Sequence, residues 1–223
     1  MKTIIITGAG KGIGKEVAIR LAEKNKVFAI SRDISKLKAS DNLIPIEFDI
    51  TSDLNQLVSN LAEFKIDKLD VLILNAGALI NKPFEEITEN ELTYIYKVNV
   101  FAPFLMTKMF IPVLKNAKKS HVLCIGSIGG VTGSSKFPGL SAYSSSKSSL
   151  SCLAECLAEE YKNQISFNSL ALGAVQTEML EKAFPGYQAP ISAKKIAEYI
   201  TGFALNGHEF INGKTISVSM SNP

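Results

Sequence analysis

The stretch TGAGKGIG, residues 7–14, decides how the rest of the chain is read. It follows a short branched apolar run, Thr3 to Thr7. It opens a segment in which Ile13, Val17 and Leu21, with Ala18 and Ala22, fall at helical spacing. A glycine-rich turn between a buried strand and a helix lets backbone N–H groups approach a pyrophosphate, and the helix N-terminus adds partial positive charge. The spacing, Gly8-x-x-x-Gly12-x-Gly14, differs from the common G-x-G-x-x-G fingerprint. It also fails as a triphosphate-binding loop: Glu16, not Ser or Thr, follows Gly14-Lys15, and Ala9 stands where the first glycine belongs. A tight turn that holds nothing is the plainer alternative, so the decision rests on what surrounds it.

Outward from the turn, short apolar runs alternate with helical patterns. The runs are 3–7, 26–31, 43–48, 70–75, 121–126, 165–172 and 214–219, and most are continuous rather than alternating. Strands buried on both faces of a parallel sheet read this way. Helical segments are expected at 12–24, 51–65, 88–116, 141–163 and 192–205; Thr88-Glu89-Asn90-Glu91 is a capping box. Strand–helix alternation implies βαβ units with right-handed crossovers. The expectation is a doubly wound α/β Rossmann-type fold, with a mainly parallel seven-stranded sheet and helices on both faces. With no linker, repeat or composition shift, residues 1–223 are read as a single dinucleotide-binding and catalytic domain.

Composition narrows the function. Of 223 residues, 46% are hydrophobic and 20% charged, an ordinary globular balance. A net charge of +3, without a long block of like charges, argues against a nucleic-acid partner. No apolar run reaches the roughly 18 residues of a membrane span, and the N-terminal residues lack a signal-peptide pattern, so a cytoplasmic protein is expected. Three cysteines (Cys124, Cys152, Cys156) do not make a disulfide framework, and Cys152 and Cys156, one helical turn apart, are expected to be buried thiols. Two histidines far apart in sequence and no Cys-x-x-Cys supply a metal site poorly, so none is expected.

The second run ends Ser31-Arg32-Asp33. A dinucleotide site places its ribose discriminator near here, an acid for a diol or an arginine for a 2′-phosphate. Arg32, with Lys11 from the glycine turn and the small Ser31, favours NADP(H). Asp33 keeps NAD(H) open, because it would suit a diol if the strand ended later. Further on, Tyr143 and Lys147 are i and i+4 on one helical face. A free tyrosine titrates near 10, too high for easy proton transfer at neutral pH, and a nearby ammonium would favour the phenolate. Asn99 lies on the apolar face of Leu92, Ile95, Tyr96 and Pro103, so its amide is expected to be buried and to need partners.

TGAGKGIG (7–14), FDI (48–50), LNAG (74–77), Asn99, Gly126-Ser127 and YSSSK (143–147), in this order, resemble a short-chain dehydrogenase/reductase over nearly the whole length. The resemblance implies that Gly8, Gly12, Ile13 and Gly14 cradle the pyrophosphate. Ser31 and Arg32 would then face the adenosine ribose, and Asp49 and Ile50 the adenine. Asn75, Ala76 and Gly77 would line the cofactor groove, and Thr177 would hold the nicotinamide carboxamide. It implies a catalytic set of Asn99, Ser127, Tyr143 and Lys147, with Lys147 lowering the tyrosine pKa and also binding the nicotinamide ribose. Asn99 would hold a water in a proton relay. The partner would be a small carbonyl or alcohol substrate, and the chain would pair as a homodimer or homotetramer through the small-residue helix face 145–158.

Three features depart from the family pattern. The interval from Ser127 to Tyr143 is lengthened, with the extra residues expected within Thr132 to Lys136. Leu172-Gly173 replaces Pro-Gly, and the lid at 178–191 is short. Leu79, Ile80, Val131, Phe137, Met179, Leu180 and Phe184 suit an apolar substrate pocket. A catalytically silent NADP-binding regulator or scaffold is the alternative, although a pure binder has no need of the tetrad. A serine hydrolase fails because Ile125 stands where Gly-x-Ser-x-Gly needs glycine.

Overall fold

The computed structural model of the protein describes residues 1–220. In chain order the elements are β1 (Thr3–Thr7), α1 (Gly12–Ala22), β2 (Lys26–Ser31), β3 (Leu43–Glu47), α2 (Leu54–Ala62), β4 (Val71–Leu74), α3 (Glu89–Tyr96), α4 (Ala102–Lys115), β5 (Ser120–Ser127), α5 (Ser141–Glu160), β6 (Ile165–Leu172), β7 (Val175–Gln176), α6 (Glu178–Ala183), β8 (Ile191–Ser192), α7 (Ala193–Asn206) and β9 (Lys214–Val218). Seven strands form one parallel sheet in the order β3-β2-β1-β4-β5-β6-β9, and β7 and β8 make a separate short parallel pair.

The continuous apolar runs are explained by this sheet, because both of its faces are covered. Ile4 and Ile6 point to one side, where Val17, Leu21, Ile196 and Ile200 of α1 and α7 pack. Ile5 points to the other, where Leu57, Phe110, Leu150 and Ala154 of α2, α4 and α5 pack. Full burial of such side chains contributes roughly 1.5–3 kcal/mol each. Within the seven-stranded sheet only the edge strands β3 and β9 carry exposed residues, and Pro45 sits in the edge strand β3, where its missing N–H costs least. Strand order reverses between β1 and β4, so a crevice opens beyond their carboxyl ends.

Three expectations need correction here. Residues 88–116 are not one regular helix: the capping box starts α3 as expected, but a π turn over Lys97–Phe101 separates it from α4. The continuous 27-residue segment Glu89–Lys115 is also long and apolar enough to cross a membrane by length and composition, which the sequence reading denied. Its apolar content has another cause. Ile95, Met106, Phe110 and Leu114 are buried within the protein. Cys152 and Cys156 are exposed, not buried, and only Cys124 is enclosed. The inward face of α5 is instead made of Ala142, Ser146, Lys147, Leu150, Ser151, Ala154 and Ala158.

Candidate active site

The crevice at the reversal of strand order is a cleft of about 480 Å³. One end is the glycine turn. Gly8 and Gly12 have φ of +68° and +53°, which side-chain-bearing residues rarely adopt. A Cβ on Gly8 would stand 2.7 Å from Ala76 Cα, and one on Gly14 would overlap the Gly8 carbonyl and the Asn75 amide. Thr7 Oγ1 accepts from the N–H groups of Asn75 (3.1 Å) and Ala76 (3.0 Å), and Asn75 Nδ2 donates to the carbonyls of Thr7 (3.0 Å) and Gly8 (3.2 Å). The turn is therefore held in shape from beneath, with its open side facing the cleft at the start of α1. That shape, closed to a Cβ at Gly8 and Gly14 and ending in helix N–H groups, fits a dinucleotide pyrophosphate.

Ser31, Arg32, Asp49 and Ile50 line the same end with Lys11. Arg32 is exposed, with Nη1 4.0 Å from Asp49 Oδ2. Burial works to raise the Asp49 pKa, but hydrogen bonds from Thr51 N and Oγ1 (2.9 and 2.8 Å) and the charge of Arg32 prevail and hold it below the usual carboxylate range. Asp33 does not line the cleft. Its Oδ1 accepts from Ser35 N at 2.9 Å, and the Ser35 hydrogen bonds, with nearby Lys36 and Lys11, keep its carboxyl ionised to lower pH than usual.

At the other end β5 delivers Ser127 and α5 delivers Tyr143 and Lys147. Ser127 ends its strand in extended backbone, accepts from Gly129 N at 3.3 Å and hydrogen-bonds Tyr143. Tyr143 keeps part of its surface open, yet burial pushes its pKa above the ordinary tyrosine value, with the Ser127 bond acting the opposite way. The expected lowering by Lys147 is not present in this arrangement. The Lys147 Nζ lies 5.9 Å from the Tyr143 ring centroid and donates instead to the Ile125 carbonyl at 2.8 Å. Lys147 is almost wholly buried, and the loss of water lowers its pKa to about 8.

Asn99 is fully buried in the π turn, as its amide was expected to be. Its Oδ1 accepts from Ala78 N (2.8 Å), and its Nδ2 donates to Ala78 O and to Ser146 Oγ (both 2.9 Å). Gly77 lies between the two polar residues: a Cβ there would sit 3.3 Å from Lys147 Nζ and 3.5 Å from Asn99 Oδ1. Thr177 lines the cleft, but its hydroxyl accepts from Leu180 N (3.2 Å) and caps α6.

With this geometry in place, the sequence of residues 2–188 matches the short chain dehydrogenase family model. The chain belongs to the short chain dehydrogenase family. It is an oxidoreductase, and its site takes a nicotinamide cofactor. The 7α-hydroxysteroid dehydrogenase of Escherichia coli K12 is 33% identical over 190-odd aligned positions, 194 in number, covering 81% of this chain and 73% of that protein. The structure of a 3-ketoacyl-(acyl-carrier-protein) reductase from Brucella melitensis, complexed with NADH, superposes with a TM-score of 0.87 at 26% identity, covering 99% of this chain and 98% of that one. ElxO with NADP bound superposes at 0.84 with 25% identity, covering 98% of each chain. Similar structures thus hold either NADH or NADP.

In this short chain dehydrogenase every residue singled out for cofactor contact lines one cleft: Gly8, Lys11, Gly12, Ile13, Gly14, Ser31, Arg32, Asp49, Ile50, Asn75, Ala76, Gly77 and Thr177, with Ser127, Tyr143 and Lys147. Asn99 stands behind that wall, in contact with Ala78. Of the expected apolar pocket, Leu79, Phe137, Met179, Leu180 and Phe184 line the cleft, while Ile80 packs against the cluster of Ala78, Ile95, Val98 and Ala142. Val131 is not among the lining residues either. Tyr94, Val98, Leu140, Glu178 and Tyr187 line it without having been singled out. The role of Ser146 was also missed. Three consecutive serines precede Lys147, and only the packing of α5 against the π turn selects the one that meets Asn99.

Proposed function

We propose that the protein is an NADP(H)-preferring oxidoreductase that interconverts a ketone or aldehyde and an alcohol. The single observation that carries this reading is the meeting of Ser127, Tyr143 and Lys147 in the cleft whose far end is the glycine turn. When bound, the nicotinamide supplies hydride in reduction and accepts it in oxidation. Ser127 holds the substrate oxygen by a hydrogen bond, and Tyr143 donates its phenolic proton to that oxygen, or takes a proton from it in the reverse direction. The raised pKa keeps Tyr143 protonated at neutral pH, which suits it to act as an acid in reduction. Lys147 stays mostly protonated at pH 7, and its buried ammonium sits beside Gly77, where it can bind ribose hydroxyls and steer the tyrosine proton.

Asn99 contributes through backbone. Its amide is committed to Ala78 and Ser146, and this keeps the π turn in place. The Ala102 N–H reaches back to Lys97 O, and Pro103 has no N–H to offer the next carbonyl along. The anchored π turn, with Asn99 and Lys147 on either side of Gly77, supports a water linking Lys147 to solvent as a proton relay. The NADP(H) preference is supported by Arg32 and Lys11 on the cleft wall, and by Asp33 being folded onto Ser35 instead of facing the ribose. Phe101, Phe104 and Leu105, each about half exposed on one stretch of helix, support pairing of copies into a homodimer or homotetramer.

The test is a carbonyl panel with NADPH and NADH. NADPH oxidation is expected, and Tyr143→Phe should reduce turnover by about 10²–10⁴-fold with cofactor affinity retained. Equal turnover in that variant would remove the tyrosine from the reaction. Cofactor binding without turnover of any carbonyl would favour a silent binder.

A further inference from the structure

Three loops wall the substrate end of the cleft: residues 79–84 after β4, 128–140 after β5 and 174–191 after β6. Each loop carries one lysine and no arginine or histidine. None of the three lysines lines the cleft. Lys82 is paired with Glu91 at 3.2 Å, in the capping box of α3. Lys136 turns back on its own loop and donates to Val131 O (2.6 Å) and to Ser134 Oγ (2.7 Å). Lys182 faces a separate depression shared with Lys15 and Lys36. The charged residues that do line the cleft are Lys11, Arg32 and Asp49 at the adenosine end, Lys147, and Glu178 at the start of α6. Lys147 already donates to Ile125 O, and Glu178 is itself an anion.

The same walls present Leu79, Phe137, Leu140, Met179, Leu180 and Phe184. A carboxylate or phosphate placed among them would lose water and meet no cation on these loops, which is costly, because the buried ammonium of Lys147 stands beside Gly77 on the cofactor wall. From this placement we infer that the substrate is an uncharged, largely apolar carbonyl compound, of the aryl or alicyclic ketone kind, and that acids, phosphates and carrier-linked acyl groups are disfavoured. The inference rests on the carbonyl–alcohol reading and deepens it by naming a substrate class.

A matched pair of ligands tests it: methyl 4-acetylbenzoate and 4-acetylbenzoate share one aryl ketone and differ only in charge. Calorimetric titration of each into the whole protein saturated with NADP⁺, and in parallel with NAD⁺, measures selection without requiring turnover. The ester should bind about tenfold or more tighter than the carboxylate. Equal affinities, a preference for the carboxylate, or no measurable binding of the ester would overturn the inference. Met179→Lys, which puts an ammonium on a partly exposed lining position, should shift that ratio about tenfold toward the carboxylate. An unchanged ratio would show that the missing cation does not set selectivity. NADPH oxidation with the ester, followed separately, reports on the reductase reading. Selective binding without turnover would defeat that reading alone, and turnover without selective binding would defeat this inference alone.

Discussion

Around the glycine turn, contact is made by backbone and short polar groups: Thr7 and Asn75 clamp the turn, and Gly8 and Gly14 leave no room for a side chain. Around the substrate end, contact is made by long apolar side chains carried on loops. Among the bonds that tie those loops to one another are Asn81 Nδ2 to Ala183 O (2.9 Å) and Lys82 N to Gly139 O (3.0 Å). The first region tolerates almost no variation in shape. The second can be re-formed by changing side chains or loop length while the first is kept. One fold can thus hold one kind of cofactor and accept many substrates.

The sharpest way to break this contrast is Gly14→Ala. The added methyl must displace the Gly8 carbonyl or the Asn75 amide, so stability should fall by about 2–4 kcal/mol and cofactor affinity with it. A variant with parental melting temperature and cofactor Kd would show that the turn is not sterically closed.

Lys147→Met tests the opposite character of the other end, where a buried charge is kept at a cost. The folded-state pKa is about 8, below the ordinary lysine value of 10.5. The unfolded chain therefore binds the proton more tightly, and the cost is fully present below about pH 8. It fades as pH rises from there toward 10.5. Turnover should be lost, yet denaturant unfolding at pH 7 should show the variant more stable by roughly 1–2 kcal/mol, after allowing for the lost bond to Ile125. This gain should shrink through pH 8–10.5. A less stable variant at pH 7 would show that the ammonium is well compensated.

Arg32→Ala sharpens the nucleotide end. NADPH affinity should weaken about tenfold while NADH affinity stays unchanged, as read by fluorescence titration. Equal losses for both cofactors would assign Arg32 a role other than 2′-phosphate contact. The smallest effect is expected from Asn81→Ala, which removes one tie between the loops. A KM increase of about two- to fivefold with little change in unfolding free energy is expected, and a large loss of stability would show that the loops act as one rigid wall.

How far the sequence could be read differs in the same way between the two ends. The seven strands were legible because a strand buried on both faces must be apolar throughout. The glycine turn was legible because few residues can occupy its backbone. The i, i+4 spacing of Tyr143 and Lys147 put them on one helical face, but only the resemblance to the family marked the pair as catalytic; Asn99 stood out as a polar residue on an apolar face. The π turn at Lys97–Phe101 was not legible, since the helical pattern runs through it; it shows only in the fold, where Asn99 bonds Ala78 and Ser146. The lengthened loop, rich in glycine and serine, reads as structureless in one dimension. Folded, it begins with a short 3₁₀ turn at Ile128–Gly130, and Ser134 Oγ lies 2.6 Å from Ile128 O.

The sequence by itself determined the parallel sheet, the glycine turn and the shared helical face of Tyr143 and Lys147, because each follows from local sterics, burial or short-range spacing, whereas Ser127 was singled out only by the resemblance to the family. Tertiary structure alone decided that the Tyr143 pKa is raised and not lowered, since burial and the position of Lys147 depend on elements far apart in the chain. It alone decided which residues wall the substrate end and that their lysines turn away from it. Those outcomes depend on how three loops fold together, and no single segment carries that information.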